Sequence, residues 1–211
     1  MKKFELTNEF ITNMFGTKLF RIRALVEFGD VEAGELGGYV EKESNLGHDD
    51  NAWVYDNAWV YGNALVYGDA QVSGDARVYD NAWVYGDAQV SGDALVYGNA
   101  RVYGNARVYG NAWVYGNAWV YGNALVCSDE DYAYAHGFGS VNRTTTFFRL
   151  KDGGVGVRCG CFYGTLAQFR DKIRETHGET KKAQEYLMLA DLMELRFEED
   201  ENEVGNRKYV E

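Results

Sequence analysis

The sequence predicts a mainly β chain whose central part winds into a triangular solenoid, with three hexads to each coil. Three observations predict it. Thirteen hexads follow one another from Asn51 to Ser128 without an insertion. Ala holds the second position from Ala52 to Ala124, and Val the fourth from Val54 to Val126. Gln71-Val72-Ser73 returns as Gln89-Val90-Ser91 eighteen residues on, the length of three hexads. Fixed periods of this kind mark structures that stack one unit on the next.

Residues 1–50 form the first segment. Leu19 to Val26 alternates as a strand. Phe28, Leu36, Tyr39, Val40 and Leu46 are placed to cover the first coil. A bare terminal coil would offer strand edges and apolar core to water, so this segment is expected to be a cap. Continued backwards, the hexad register puts Leu46 and His48 at the Ala and Val positions, with His48 near the axis.

Residues 51–128 are the repeat. Within each hexad Ala and Val alternate with a variable residue and Tyr, the period of a short strand. Gly-Asn or Gly-Asp follows, and these residues tolerate left-handed backbone angles. An antiparallel meander with Gly-Asn turns also fits the pattern. It would leave a long open sheet with only Ala and Val to pack on another layer, whereas a solenoid closes both around its own axis.

Residues 129–211 change character and read as a small α+β module. Two strands are predicted near Thr144–Leu150 and Val155–Cys161, joined at Asp152-Gly153-Gly154. Thr165-x-x-Gln168 opens a helix that Gly178 closes, and a second helix runs from Lys181 to Phe197. Glu198 to Glu203 is expected to be solvated. The module either caps the far end or stands apart as a partner-binding domain.

A small residue two places before an aliphatic one, every six residues, resembles the hexapeptide-repeat left-handed parallel β-helix. The stretch RIRALVEFGDVEAGELGGYVEKESNLGHDDNAWVYDNA, Arg21 to Ala58, resembles the start of uncharacterised enterobacterial and phage or prophage proteins of that class. The resemblance implies a left-handed coil, and trimers are frequent in the class. One departure is that Tyr fills the place after the aliphatic residue in ten of thirteen hexads.

Sorting the outward residues by eighteens gives three ranks. The first holds Trp59, Arg77, Leu95 and Trp113, with Tyr61, Tyr79, Tyr97 and Tyr115 beside them. The second holds Leu65, Trp83, Arg101 and Trp119, with Tyr67, Tyr85, Tyr103 and Tyr121. The third holds Trp53, Gln71, Gln89, Arg107 and Leu125, and Ser73 and Ser91 interrupt its tyrosines. All five tryptophans are expected on the outside. Neighbour stacking accounts for tyrosine columns, but extended aromatic surface also marks interfaces. The predicted ligand- or partner-binding residues are therefore Trp59, Trp83, Trp113, Trp119, Arg77, Arg101, Tyr85 and Tyr103.

Other chemistry is thinly represented. Cys159-Gly-Cys161 falls short of a four-ligand zinc site and reads as buried thiols. The aspartates at the turns exchange with Asn, which favours turn capping over calcium. Asn63, Asn81, Asn99 and Asn117 read as an amide ladder. His177 reads as a helix C-terminal charge, while His136 and His48 are weighed as catalytic bases with no nucleophile or orienting group in view. No cofactor and no metal is predicted.

The net charge of -11 opposes general affinity for nucleic acid. With no signal peptide or membrane span in view, a cytoplasmic protein is expected, in the host cell if phage encoded. The favoured function is a non-enzymatic binding or scaffold protein, a trimer or dimer through its aromatic faces, that binds or inhibits a host macromolecule. Two alternatives stand beside it: an acyltransferase-like enzyme, and an oligomer that sequesters a nucleotide-like ligand.

Overall fold

The computed structural model describes residues 2–141 and 143–198. The acidic stretch expected to be solvated lies, from residue 199, outside the described residues. Strands β1 (Phe4–Thr12), β2 (Lys18–Ala24) and β3 (Leu36–Val40) precede thirteen short strands, β4 (Trp53–Val54) to β16 (Leu125–Val126). The short strands pair in parallel with partners eighteen residues away, as in Gln71 with Gln89 and Val102 with Val120. Parallel ladders exclude the meander and make a β-solenoid of about five turns.

The repeat supplies its own core. Every Ala from Ala52 to Ala124 and every Val from Val54 to Val126 is buried. The sixth hexad position bends the chain through positive φ, as at Gly86 with φ +71°. A Cβ there would lie 3.0 Å from the backbone nitrogen of Gly104 in the next coil, so Gly serves both conformation and stacking. Asp80 takes the same corner at φ 60°. Its carboxylate accepts a hydrogen bond from Gly98 N at 3.3 Å, an interaction with the next coil that Gly cannot make. Asn63, Asn81, Asn99 and Asn117 form the expected ladder, each Nδ2 donating to the next Oδ1 at 3.1, 3.3 and 3.1 Å.

The N-terminal strands continue one solenoid sheet. Strand β3 pairs in parallel with the Trp59 strand, and β1 and β2 add antiparallel, giving a seven-stranded sheet. Phe4, Ile22, Val31 and Val40 join the Ala/Val core. Tyr39 and Leu46 are buried and Phe28 is half-buried, as expected of residues covering the first coil, but Leu36 is exposed.

Three further expectations fail around the entry to the repeat. Leu46 pairs with Val66, twenty residues away, whereas Trp53 pairs with Gln71, eighteen away. The chain therefore shifts register by two residues between Leu46 and Trp53, and Leu46 takes the Val place. His48 is displaced from the axis; it stacks on Phe4 at 4.4 Å and its Nδ1 accepts from Lys3 N. Trp53 is 0% exposed, because Phe4 and Phe28 close over its indole at 6.2 and 5.3 Å.

After the repeat come four antiparallel strands, β17 (Tyr132–Phe138), β18 (Arg143–Arg149), β19 (Val155–Cys159) and β20 (Phe162–Thr165), then α1 (Leu166–His177) and α2 (Lys181–Phe197). Strands β18 and β19 and both helices fall where the sequence predicts them, whereas β17 and β20 are additional to that prediction. The capping box forms as read: Thr165 Oγ1 accepts from Gln168 N, and Gln168 Oε1 from Thr165 N.

Strand alternation divides two neighbouring phenylalanines. Phe147 packs with Phe169, Ile173, Tyr186 and Phe197 beneath the helices, while Phe148 joins the solenoid core. A buried ion pair, Arg149 to Asp131 at 3.3 Å, lies at the same junction. The thiol expectation needs correction: Cys161 is exposed and Cys159 half-buried. Strand β19 ends at Cys159, so Cys161 sits in the turn before β20 rather than on a buried face. His177 occupies the last turn of α1 and stacks on Tyr186.

Candidate functional site

Eighteen-residue pairing brings the predicted residues together in two groups, on two sheets. On the four-stranded solenoid sheet Trp83, Arg101 and Trp119 stand opposite one another. The Arg101 guanidinium lies between the two indoles, 4.5 Å from Trp83 and 4.9 Å from Trp119. Cation–π contact on both faces leaves its donors only in the guanidinium plane. Tyr67, Tyr85, Tyr103 and Tyr121 stack beside this rank at 4.9, 4.8 and 4.3 Å. Partial burial, reinforced by Tyr103 and Tyr67, pushes the Tyr85 hydroxyl up to about 12.

The other group lies on the seven-stranded sheet. Register aligns Arg21, Tyr39, Trp59, Arg77, Leu95 and Trp113 in one rank across six strands. Arg77 lies 4.3 Å over Trp59, and Arg21 lies 5.1 Å over Tyr39. At the end of the rank, Trp113 and Tyr115 are 47% and 40% exposed.

The C-terminal strands meet the solenoid on the Arg101 sheet. Trp119 N donates to Thr146 Oγ1 at 2.9 Å, and the Tyr163 ring meets Tyr121 edge-on at 4.6 Å. Arg158 lies 5.5 Å over Trp119 and 5.6 Å over Tyr121. This docking leaves a cleft of about 480 Å³ lined by Asn99, Arg101, Asn117, Trp119, His136, Arg143, Thr144 and Gly160. His136 Nδ1 is 3.0 Å from Thr144 Oγ1, because antiparallel register sets those residues opposite each other. Arg143 packs over Gly160, in space that a side chain at 160 would need.

The cleft has two guanidiniums, an imidazole, two amides and no carboxylate in its lining. Such a set can bind an anion, and the Thr144 hydroxyl beside His136 Nδ1 is its one hydroxyl–imidazole pair. Among the described residues no group of three His, Cys, Asp or Glu is arranged to hold a metal ion. Of the predicted residues, Arg101 and Trp119 line the cleft and Trp83 buttresses Arg101. Trp59, Arg77 and Trp113 lie on the other sheet. Arg143, Thr144, Arg158 and Gly160 were missed; the alternation in YAYAHGF (residues 132–138) was the signal for the strand that pairs with β18 and sets His136 opposite Thr144.

No helix among the described residues is long and apolar enough to cross a membrane. No curated protein matches the chain. A family model described as the YdcK β-solenoid repeat matches residues 70–86, 88–104 and 100–116, all within the hexad array. Sequence similarity and architecture agree that this is a β-solenoid repeat protein.

Proposed function

We propose that this chain is a non-enzymatic binding protein that works as a homo-oligomer. In this reading the solenoid is a left-handed, triangular hexapeptide-repeat β-helix, and the segments at its two ends cap it. The resemblance of Arg21–Ala58 to phage and prophage proteins supports a phage or prophage origin, a cytoplasmic setting and a host macromolecule as target.

The observation that carries the reading is the rank ending in Trp113. Its rings and guanidiniums are held in register by the coil, and its last indole is half open to water. A rigid, partly exposed aromatic row suits an interface, where aromatic and Arg side chains concentrate binding energy. Trp113→Ser leaves the buried Ala and Val columns untouched. The mass in solution of the wild type should be a multiple of 23.8 kDa, and that of the variant smaller. A wild-type monomer would overturn the oligomer.

His136 in the cleft gives the second reading, an acyltransferase-like enzyme, its one specific support. Acetyl transfer from acetyl-CoA that is lost in His136→Ala would put that reading first. No turnover would remove it.

A further inference from the structure

We infer that the cleft between the Arg101 sheet and the β17–β18 hairpin is a binding site for a small phosphorylated ligand of mononucleotide type. This deepens the binding-protein reading and rests on it only in that the ligand is held, not turned over.

Charge is the first argument. The chain carries a net -11, and several of its arginines answer carboxylates: Arg149 pairs with Asp131, and Arg170 with Asp191 and Glu194. Arg101 and Arg143 have no carboxylate partner among the described residues, yet they face one cleft. Two uncompensated cations in a partly enclosed site repel each other and favour an anion between them. Arg101 is also pre-positioned, since Trp83 and Trp119 hold both faces of its guanidinium. Holding the fork in place before binding removes an ordering cost that a mobile Arg would bear.

The other donors fit a phosphate with an attached polar ring. When Thr144 donates to His136 Nδ1, the ring proton sits on Nε2, a donor toward the cleft anion. At the end of the amide ladder Asn117 accepts from Asn99 and has no further Asn to donate to. Its amide is therefore available for the carbonyl or ring-nitrogen edge of a base. The volume of about 480 Å³ falls in the ordinary range for small-ligand sites. The acidic surface favours a single nucleotide over a polyanionic strand.

Calorimetric titration of the full chain with each nucleoside 5′-monophosphate, with inorganic phosphate and with a 5′-phosphorylated oligonucleotide tests the proposal. A monophosphate should bind more tightly than inorganic phosphate or the oligonucleotide. Arg143→Gln and Arg101→Gln should each weaken it about tenfold to a hundredfold, as loss of a charge-assisted bond requires. Arg107→Gln, on another sheet, should leave it unchanged. Arg143 is exposed, so its variant reports on binding even if Arg101→Gln disturbs the stack.

Binding of no nucleotide, equal binding of phosphate, tighter binding of the oligonucleotide, or an Arg143→Gln variant that binds as the wild type does would each overturn the site. The solution mass of the same samples is a separate readout. An oligomer that binds no nucleotide sinks this inference alone, and a monomer that binds one sinks only the oligomer. Ligand recovered chemically altered would overturn the non-enzymatic reading and leave the site standing.

Discussion

Each hexad of the repeat buries one Ala and one Val, both small, and gains order by repeating the same contact eighteen residues later. The C-terminal region instead buries Phe147, Phe169, Tyr186, Met193 and Phe197, each in a setting found once. In the first region one residue type has many equivalent neighbours. In the second, every large side chain has its own. The difference teaches where a binding site can arise. A uniform ladder presents ranks of identical geometry, and where the irregular strands dock one rank, the Arg101 rank, becomes half of a cleft.

A charge placed inside the ladder should break the comparison most severely. Val102 is 0% exposed between Val84 and Val120, with only Ala and Val columns around the axis. Val102→Asp buries a carboxylate with no partner, and the expected loss is about 4 kcal/mol or more. In thermal unfolding followed by circular dichroism, the β signal should be lost at a temperature well below that of the wild type. A variant that melts within a few degrees of the wild type would show that the coil opens enough to hydrate the charge.

The tyrosine columns give a second, smaller test of the repeat. Burial, with the adjoining tyrosines next, raises Tyr79 and Tyr85 to about 12 from the usual 10. Burial likewise raises Tyr61, Tyr67, Tyr97 and Tyr103. An acid whose folded value lies above its unfolded value is protonated in the native state while the unfolded chain loses its proton. Stability is therefore complete below pH 10 and falls as pH rises from 10 toward 12. Denaturant midpoints across that window should fall, with tyrosinate absorbance appearing late in the native protein. A flat midpoint would mean that the columns are as hydrated folded as unfolded.

Legibility in the sequence follows the same division. Periodicity alone gives the buried Ala and Val columns, the parallel ladder, the amide ladder and the ranks that bring Trp83, Arg101 and Trp119 together. Helix α2 is legible from its apolar stripe and α1 from Thr165 and Gln168. What fails is whatever depends on a non-repeating partner. Trp53 has the same hexad context as Trp83, yet is buried because Phe4 and Phe28, far away in sequence, close over it. His48 leaves the axis because two extra residues intervene between Leu46 and Trp53. The cleft needs His136 and Arg143, whose meeting with Arg101 depends on how a hairpin docks, and no period encodes that.

The smallest effect isolates the stacking itself. Gly86 and Gly153 both have positive φ, +71° and +83°, so Ala at either is conformationally strained by about 1–2 kcal/mol. They differ in surroundings. At Gly153 a new Cβ meets nothing within 4 Å, whereas at Gly86 it meets Gly104 N of the next coil at 3.0 Å. Gly86→Ala should therefore cost more than Gly153→Ala, by about 1 kcal/mol, in matched chemical denaturation. Equal losses would mean that neighbouring coils separate freely at the corner. The repeat contains its own control, since Asp80 stands at an equivalent corner and accepts from Gly98 N. Gly86→Asp can form the same bond to Gly104 N, so it should lose less than Gly86→Ala although Asp is the larger residue. An Asp variant no more stable than the Ala variant would show that the carboxylate bond contributes nothing to the joint between coils, and that Asp80 is tolerated rather than favoured there.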